Sequence, residues 1–283
     1  MIERQFVQKV GVPVISAPPE TKWFSSDTES ENSEGGKLVK LFDNMSSLER
    51  LVSCLSEFAG TACLVFVGCL GCTINAPLEQ VAFTFGFAIM IGVQAFGHIS
   101  GAHINPAVTV AAAALGHFPL INIPIYVAGQ LLGSLTGFGL VKAIAKTKIN
   151  DSALGVCSPA PNPDLSGFQI FLVEFLLTLV LVWVCCAIWD SRNAENTDSV
   201  SIKLGLTVAG LAMAGGAYSG ANMNPARSFG PALLDGDWIY HWAYWSGPLT
   251  AGFVGGLLYR VLFAREPKLN ETVPELGPTR ENT

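Results

Sequence analysis

Charged side chains are scarce in this 283-residue chain: Asp, Glu, Lys and Arg together make up 13% of it, whereas 50% of the residues are hydrophobic. A soluble domain usually carries about 25% charged residues, so this composition argues against a soluble globular protein. The net charge of -6 and the lack of a basic cluster argue against a nucleic-acid partner. The chain has instead several long apolar segments, which are typical of a multi-pass membrane protein.

Patterns that carry catalysis or bind metal are also missing. The chain has 4 histidines and 7 cysteines, and these residues do not recur at the spacing of a metal site. No motif places a nucleophile beside a base, so we expect no enzyme activity, no metal and no cofactor. Six cysteines fall in or beside apolar segments, where they behave as small apolar residues, and only Cys157 is predicted in an outer loop. We therefore expect no disulfide framework.

Six apolar segments are candidates for membrane spans, although the fifth is short and needs neighbouring residues to complete it. An all-α membrane protein is therefore predicted, with a membrane domain at 50–263 between two polar tails. The first tail, 1–49, is predicted to be disordered, because its segment 25–36 is too polar to bury a core; the second covers 264–283. The six segments are 51–72, 81–97, 120–141, 168–189, 204–217 and 238–259.

Basic residues are unevenly distributed between the two sides of this arrangement. Twelve Lys and Arg residues fall in the tails, the loop between the fourth and fifth segments and the adjoining segment ends, whereas three fall on the other side. The positive-inside rule then places both termini in the cytoplasm, and we expect the protein in the plasma membrane. Asn150 heads the one glycosylation sequon on the predicted outer face.

A duplicated motif organises the chain. Residues 100–107 read SGAHINPA and residues 219–226 read SGANMNPA, and the two copies align with each other without a gap. Segments that begin at Glu57 and Glu174 also match each other, so the chain is an internal duplication with repeats at about 50–148 and 166–263. Repeats of this kind in a membrane protein place the substrate site at the repeat interface, near the bilayer midplane.

Each Asn-Pro-Ala triplet precedes an apolar run of about ten residues, roughly half the helix length that a bilayer requires. Proline suits the first helical position, so the asparagines become helix caps. Two half-helices should enter from opposite faces and meet with their positive dipole ends together, which repels protons and cations. The alternative, two Asn-Pro turns in surface loops, fits a single copy better than two matching ones. The motif residues are Asn105, Pro106, Ala107, Asn224, Pro225 and Ala226.

The stretches before the two motifs are predicted to be extended. Each asparagine should also have an amide N–H that can donate to a passing neutral molecule. Irregular backbone at membrane depth is tolerated only where it is buried or lines a cavity, so we expect carbonyls of these stretches to act as acceptors along the path. The carbonyls are those of Gly101, Ala102, His103, Ile104, Gly220, Asn222 and Met223.

These residues resemble the aquaporin family over about 57–256. The resemblance implies six tilted helices and two half-helices in an inverted repeat, a pore in every subunit, and a homotetramer in membrane lipid. It also implies that Glu57 and Glu174, the only acids deep in predicted spans, brace the pore loops by accepting backbone N–H bonds. We assign them as structural supports, because a proton relay needs a chain of partners that the sequence does not supply.

Four residues map onto the outer constriction of this family by their distance from the two motifs: Phe85, Ala212, Ala221 and Arg227. Water-selective relatives usually carry histidine at the second of these positions. Alanine there leaves a wider, more apolar opening, past which a three-carbon polyol can slide while its hydroxyls meet Arg227. Two alternatives stay open: a neighbour such as Met213 or Tyr218 compensates for the missing ring, or Phe85 serves only core packing.

Other positions resemble the water-channel branch of the family, namely Ser228, Ala232, Tyr244 and Trp245; the glycerol-conducting branch usually has aspartate after the arginine. The combination is similar to insect glycerol-transporting aquaporins, the entomoglyceroporins. We therefore expect a passive channel for glycerol, with urea as a further candidate and some water, that excludes ions. A water-selective channel is the alternative, and a membrane scaffold or adhesion tetramer with little transport is the third interpretation.

Overall fold

The computed structural model describes residues 45–74, 76–145 and 157–264. The glycosylation sequon at Asn150 and almost all of both predicted tails lie outside these ranges. The described residues are helical and contain no β-strand, which confirms the predicted all-α class. Their eight α-helices are α1 (Ser47–Cys72), α2 (Leu78–Ser100), α3 (Pro106–Leu115), α4 (Ile123–Ile144), α5 (Gly167–Trp189), α6 (Val200–Ser219), α7 (Pro225–Asp235) and α8 (Ala243–Leu258).

The first helix of each repeat begins in the same way. At the start of α1, Ser46 accepts from the backbone N–H of Glu49, whose side chain accepts in return from the N–H of Ser46. Ser166 and Gln169 form the same reciprocal box at the start of α5. Both boxes satisfy N–H groups that a helix start leaves unpaired, so the local sequence defines where the first helix of each repeat begins.

Five helices, α1, α2, α4, α5 and α6, are long and apolar enough to cross a membrane; the third of these spans includes a short 3-10 turn, Leu120–Asn122. The short fifth span is completed by its neighbours, as predicted, and runs over 20 residues. The sixth differs from its prediction, because α8 has 16 residues and starts only after the aromatic turns at 238–242. A π-helical turn, Tyr259–Phe263, continues it beyond the predicted end.

Helix packing repeats the duplication of the sequence. Helix α1 packs on α2 and α4, and α5 packs on α6 and α8 in the same way. The two half-helices exchange repeats: α3 packs on α8 of the second repeat, and α7 packs on α4 of the first. Each repeat therefore holds the half-helix of the other, and the two motifs meet between them.

Small residues allow these helices to approach closely. Gly129, Gly133 and Gly137 lie on one face of α4 against the backbone of α1. A Cβ atom on Gly133 would lie 2.3 Å from the carbonyl oxygen of Phe58, far inside van der Waals contact. Glycine at every fourth residue is a common helix contact in membranes, where close backbone packing supplies much of the association energy.

Candidate transport pathway

The two Asn-Pro-Ala triplets start the half-helices as predicted. The Oδ1 atom of Asn105 accepts from the N–H of Ala107 at 2.8 Å, and the Oδ1 atom of Asn224 accepts from Ala226 and Arg227 at 3.0 and 3.3 Å. Pro106 and Pro225 occupy the first helical positions. The orphan N–H groups at both helix starts are thus partly satisfied by the asparagine that precedes each helix.

The same asparagines join the two repeats. The Nδ2 atom of Asn105 donates to the carbonyl of Met223 at 2.9 Å, and Nδ2 of Asn224 donates to the carbonyl of Ile104 at the same distance. One amide N–H of each asparagine is therefore used between the repeats, and a second N–H remains for a solute. The carbonyls of Ile104 and Met223 each accept one of these bonds, and the second lone pair of each oxygen leaves their predicted role along the path open.

Two buried glutamates hold the loops that precede the motifs. Oε1 and Oε2 of Glu57 accept from the backbone N–H groups of His103 at 2.9 Å and Ile104 at 2.7 Å. Oε1 and Oε2 of Glu174 accept from Asn222 and Met223 at the same two distances. Both carboxylates are fully buried. A buried carboxylate requires such donors to offset its lost hydration, so each glutamate and its loop stabilise each other.

The braced loops have an unusual backbone conformation. Ala102 and Ile104 have φ values of 44°, and Ala221 and Met223 have φ values of 46° and 52°. Non-glycine residues in this left-handed region cost roughly 1–3 kcal/mol each and persist only where their surroundings hold them. The glutamate bonds supply that restraint at matching positions of the two repeats.

Three further side chains hold the loops, and the sequence analysis assigned this role to none of them. The hydroxyl of Tyr126 donates to the carbonyl of Ser100 at 2.9 Å, and Tyr244 donates to Ser219 at 2.7 Å. The amide of Gln130 donates to Glu57 at 2.7 Å. A search for polar residues at matching positions of the two repeats would have found the tyrosines, but not Gln130, whose repeat counterpart is not polar.

Two cavities of about 70 Å³ each lie on opposite sides of the asparagine pair. Asn105 lines both cavities. The cavity on the predicted outer side, called the outer cavity, brings together all four residues that the sequence assigned to the constriction: Phe85, Ala212, Ala221 and Arg227. The other is called the inner cavity. Met213 and Tyr218, the candidates for replacing a missing ring, are not among the lining residues of the outer cavity.

Arg227 is buried and its guanidinium group has two defined contacts. The carbon Cζ lies 4.6 Å from the centre of the Phe85 ring, a cation–π distance. Nη1 donates to the carbonyl of Cys157 at 2.6 Å. Phe85 is 8% exposed, lines the cavity and packs in the hydrophobic core, so its two proposed roles coexist. The arginine charge is held beside the cavity with several N–H donors left over.

The expectation of no disulfide is wrong. Cys69, in the last turn of α1, is bonded to Cys157, and the two Cα atoms lie 5.3 Å apart. The bonded residues are 88 positions apart in the chain, and both are buried. The sequence placed Cys157 in an outer loop but gave no sign that this loop folds back onto the outer end of α1.

His103 and Asn222 occupy equivalent positions of the two repeats. The His103 ring is buried among Phe118, Tyr126 and Trp189, with Nδ1 3.2 Å from the hydroxyl of Thr109. Asn222 lines the outer cavity, and its amide nitrogen and oxygen have no hydrogen-bond partner among the described residues. The sequence assigned only backbone carbonyls to both residues. No group of His, Cys, Asp and Glu in the described ranges is arranged to hold a metal.

Comparisons with known proteins agree with this geometry. The family described as Major intrinsic protein matches residues 44–259. Human aquaporin-2 is 41% identical over 235 residues, which cover 81% of this chain and 85% of the relative. The human lens fiber major intrinsic protein is 39% identical and covers 78% of this chain and 85% of its own length. The solved structure of the aquaglyceroporin from Plasmodium falciparum has a TM-score of 0.67 at 24% identity, covers 75% of this chain and 96% of its own, and supports the fold.

Proposed function

The chain belongs to the major intrinsic protein family, whose members are membrane channels and not enzymes, and we propose that it conducts glycerol together with some water. The proposal rests on the outer cavity, which the small side chain of Ala212 lines together with Phe85 and Arg227. Met213 and Tyr218, the larger neighbours that could replace a missing ring, do not line it. A three-carbon polyol needs the room that a small side chain leaves, whereas a water molecule does not.

Glycerol has a polar edge and an apolar edge, and the cavity offers a counterpart for each. Phe85, Ala212 and Ala221 supply apolar surface for the carbon chain. Arg227 supplies N–H donors for the hydroxyl oxygens, because its two observed contacts leave part of the guanidinium free. Urea, which is also small and neutral and has a carbonyl acceptor, is the further candidate solute.

Rejection of cations follows from two positive features that a solute meets one after the other along the path. The buried guanidinium of Arg227 opposes cations at the outer cavity. At the asparagine pair, the N-terminal ends of α3 and α7 direct their positive dipoles towards the path. A neutral solute meets neither barrier, and it can exchange its hydrogen bonds with water for bonds to the remaining N–H groups and to Arg227.

The alternative is a water-selective channel, and one observation favours it. Ser228 is fully buried and its hydroxyl donates to the carbonyl of Asn224, so it belongs to the scaffold around α7 that resembles water-channel relatives. We give the cavity wall more weight because the narrowest point decides which solutes pass. A membrane scaffold or adhesion protein with little transport remains the third interpretation.

The remaining parts of the proposal concern assembly and location. Large apolar side chains such as Leu51, Leu55 and Phe253 are exposed on the surfaces of α1 and α8. Lipid and the other subunits of a homotetramer would cover such surfaces. The asymmetry of basic residues supports cytoplasmic termini in the plasma membrane, with the disulfide on the outer, oxidising side.

Reconstitution into liposomes tests the function directly. Stopped-flow light scattering would measure osmotic water flow and the entry of glycerol and urea into vesicles with and without the protein. Glycerol entry well above that of empty vesicles supports the proposal. Water flow without glycerol entry would establish the water-selective alternative, and vesicles that match the empty ones for all three solutes would favour the scaffold interpretation.

A further inference from the structure

Arg227 belongs to a closed ring of contacts, and one link of that ring is a disulfide bond. Its guanidinium lies over the ring of Phe85, and that ring packs directly on Gly68, where a Cβ atom would lie 2.3 Å from Phe85 Cε1. Gly68 precedes Cys69, which is bonded to Cys157. The carbonyl of Cys157 accepts from Arg227 and closes the ring.

The carbonyl of Cys157 is the only hydrogen-bond acceptor of the Arg227 side chain among the described residues. A charge-assisted bond of this kind is stronger than a bond between neutral groups, so the position of that carbonyl influences where the guanidinium rests. The segment that carries the carbonyl has no helix of its own between 157 and 166. Residues 157–159 are buried by packing, and the side-chain and backbone bonds that tether the segment hold it further.

The tethers of this segment lie at two points. At Asn162, the backbone N–H donates to the carbonyl of Tyr218 at 2.9 Å, and the side chain donates to Ala217. At Cys157, the tether is the disulfide to the end of α1. Removing the disulfide would leave the Cys157 end of the described segment without its covalent attachment to the helix on which Phe85 packs.

We propose that the Cys69–Cys157 disulfide is a positioning element for solute selection: it fixes the carbonyl that holds Arg227 over Phe85 and so sets the width and polarity of the outer cavity. The proposal rests on the proposed role of Arg227 in selecting solutes. It goes beyond a general stabilising role, because it predicts a change in which solutes pass and not only a change in the amount of folded protein.

The test starts with the bond itself. Mass spectrometry of peptides from the purified protein, digested without reductant, should recover Cys69 and Cys157 in one linked species. Finding both cysteines as free thiols would overturn the proposal.

The second step compares Cys69→Ser, Cys157→Ser and the double variant in liposomes, with Cys63→Ser as the control because Cys63 is a free cysteine in the same helix. We expect each disulfide variant to change the glycerol-to-water permeability ratio by about threefold or more, since a fraction of one charge-assisted bond is lost. The double variant should match the single ones, and the control should match wild type. If glycerol and water flow instead fall by the same factor, and that factor matches the loss of folded protein, the disulfide has only a structural role and the proposal is overturned.

A double-mutant cycle with Arg227 tests whether the disulfide changes the permeability ratio through the arginine. In an Arg227→Val background, Cys157→Ser should produce no further change in the ratio, because the group that the carbonyl positions is already absent. An undiminished effect in that background would contradict positioning through Arg227. If wild type conducts water but not glycerol, the proposed function fails separately, and the positioning proposal is then judged on water flow per folded channel: a change in the disulfide variants supports it, and no change overturns it.

Discussion

Replacing Ala212 with histidine would place an imidazole ring in the wall of the outer cavity. Ala212 is 8% exposed and lines that cavity, whose volume is about 70 Å³. At roughly 10–15 Å³ for each water-sized position, the cavity holds about five to seven such positions, and a five-membered ring would take up a large share of them. Water would still pass in single file, whereas a three-carbon polyol would lose the surface along which its carbon edge slides.

The expected magnitude is a loss of glycerol entry by roughly tenfold to a hundredfold, in the range by which one excess group alters the fit of a small apolar pocket. Water flow should stay within about threefold of wild type, because a water molecule needs no contact with the apolar wall. Stopped-flow measurements on liposomes that contain equal amounts of folded protein give both values. Ala212→Val adds bulk without a polar group and separates the effect of size from that of hydrogen bonding.

Two results would refute this reasoning. Glycerol entry that survives in Ala212→His would mean that the narrowest point lies elsewhere, and the resemblance that assigned the constriction would be misapplied at this position. A fall of water and glycerol entry by the same factor would mean that histidine disturbs packing between α2 and α6 instead of selecting solutes. A melting temperature equal to that of wild type would be needed before either result is interpreted.

Three other predictions address the scaffold. Glu174→Gln replaces an oxygen acceptor with an amide that cannot serve all of its backbone donors, so it should cost roughly 3 kcal/mol or more of stability, seen as a lower melting temperature in detergent together with loss of water flow. Gly133→Ala should lower the melting temperature by several degrees because its Cβ would meet the α1 backbone at 2.3 Å, whereas Gly139→Ala, which meets no atom within 4 Å, should not. A hydrogen bond from Arg192 is the main cause that holds the pKa of Asp190 below its ordinary value of 3.8, so the pair contributes stability above that pH and loses it as the pH falls further. Asp190 also accepts from the hydroxyl of Tyr259, and Arg192 donates to the carbonyl of Phe263. Asp190→Asn should therefore increase deuterium exchange at Tyr259–Phe263 at neutral pH, and the difference from wild type should shrink below pH 3.8; equal exchange at neutral pH would contradict it.

Most of the structural features that could be predicted from the sequence followed from the duplicated motif. Because each Asn-Pro pair combines a helix cap with a residue suited to the first helical turn, the starts of α3 and α7 followed from local chemistry. The two copies then implied an inverted repeat and two half-helices, and the buried pair Glu57 and Glu174 followed from the rarity of acids in a membrane span. These features depend on residue type at a fixed spacing, which a sequence displays directly.

Contacts between distant segments were not predictable in the same way. The cross-bonds from Asn105 to Met223 and from Asn224 to Ile104 depend on how closely the two repeats approach, and that distance is not encoded in either motif alone. The Cys69–Cys157 disulfide depends on the path of a loop. The late start of α8 reflects a run of aromatic residues at 238–242 that are apolar enough to look like a span but form turns before the helix.

The repeats are symmetric in their backbone and asymmetric in the side chains that face the path. Residues that line the inner cavity include the counterparts, 119 positions away, of all four residues of the outer constriction. Where the outer cavity has an arginine and a phenylalanine, the inner one has Val108 and Leu204, so it has no charge and no aromatic wall at those two places.

The braces at Glu57 and Glu174 must be kept in both halves because each loop needs its acceptors. Selection needs only one narrow, charged point along the path, so the cavity at one end can carry it, with Phe85 from the first repeat and Arg227 from the second. We therefore expect a change such as the alanine at 212 to alter the solute without disturbing the shared scaffold. The outer positions are Phe85, Ala212, Ala221 and Arg227, and their inner counterparts are Leu204, Val93, Ala102 and Val108.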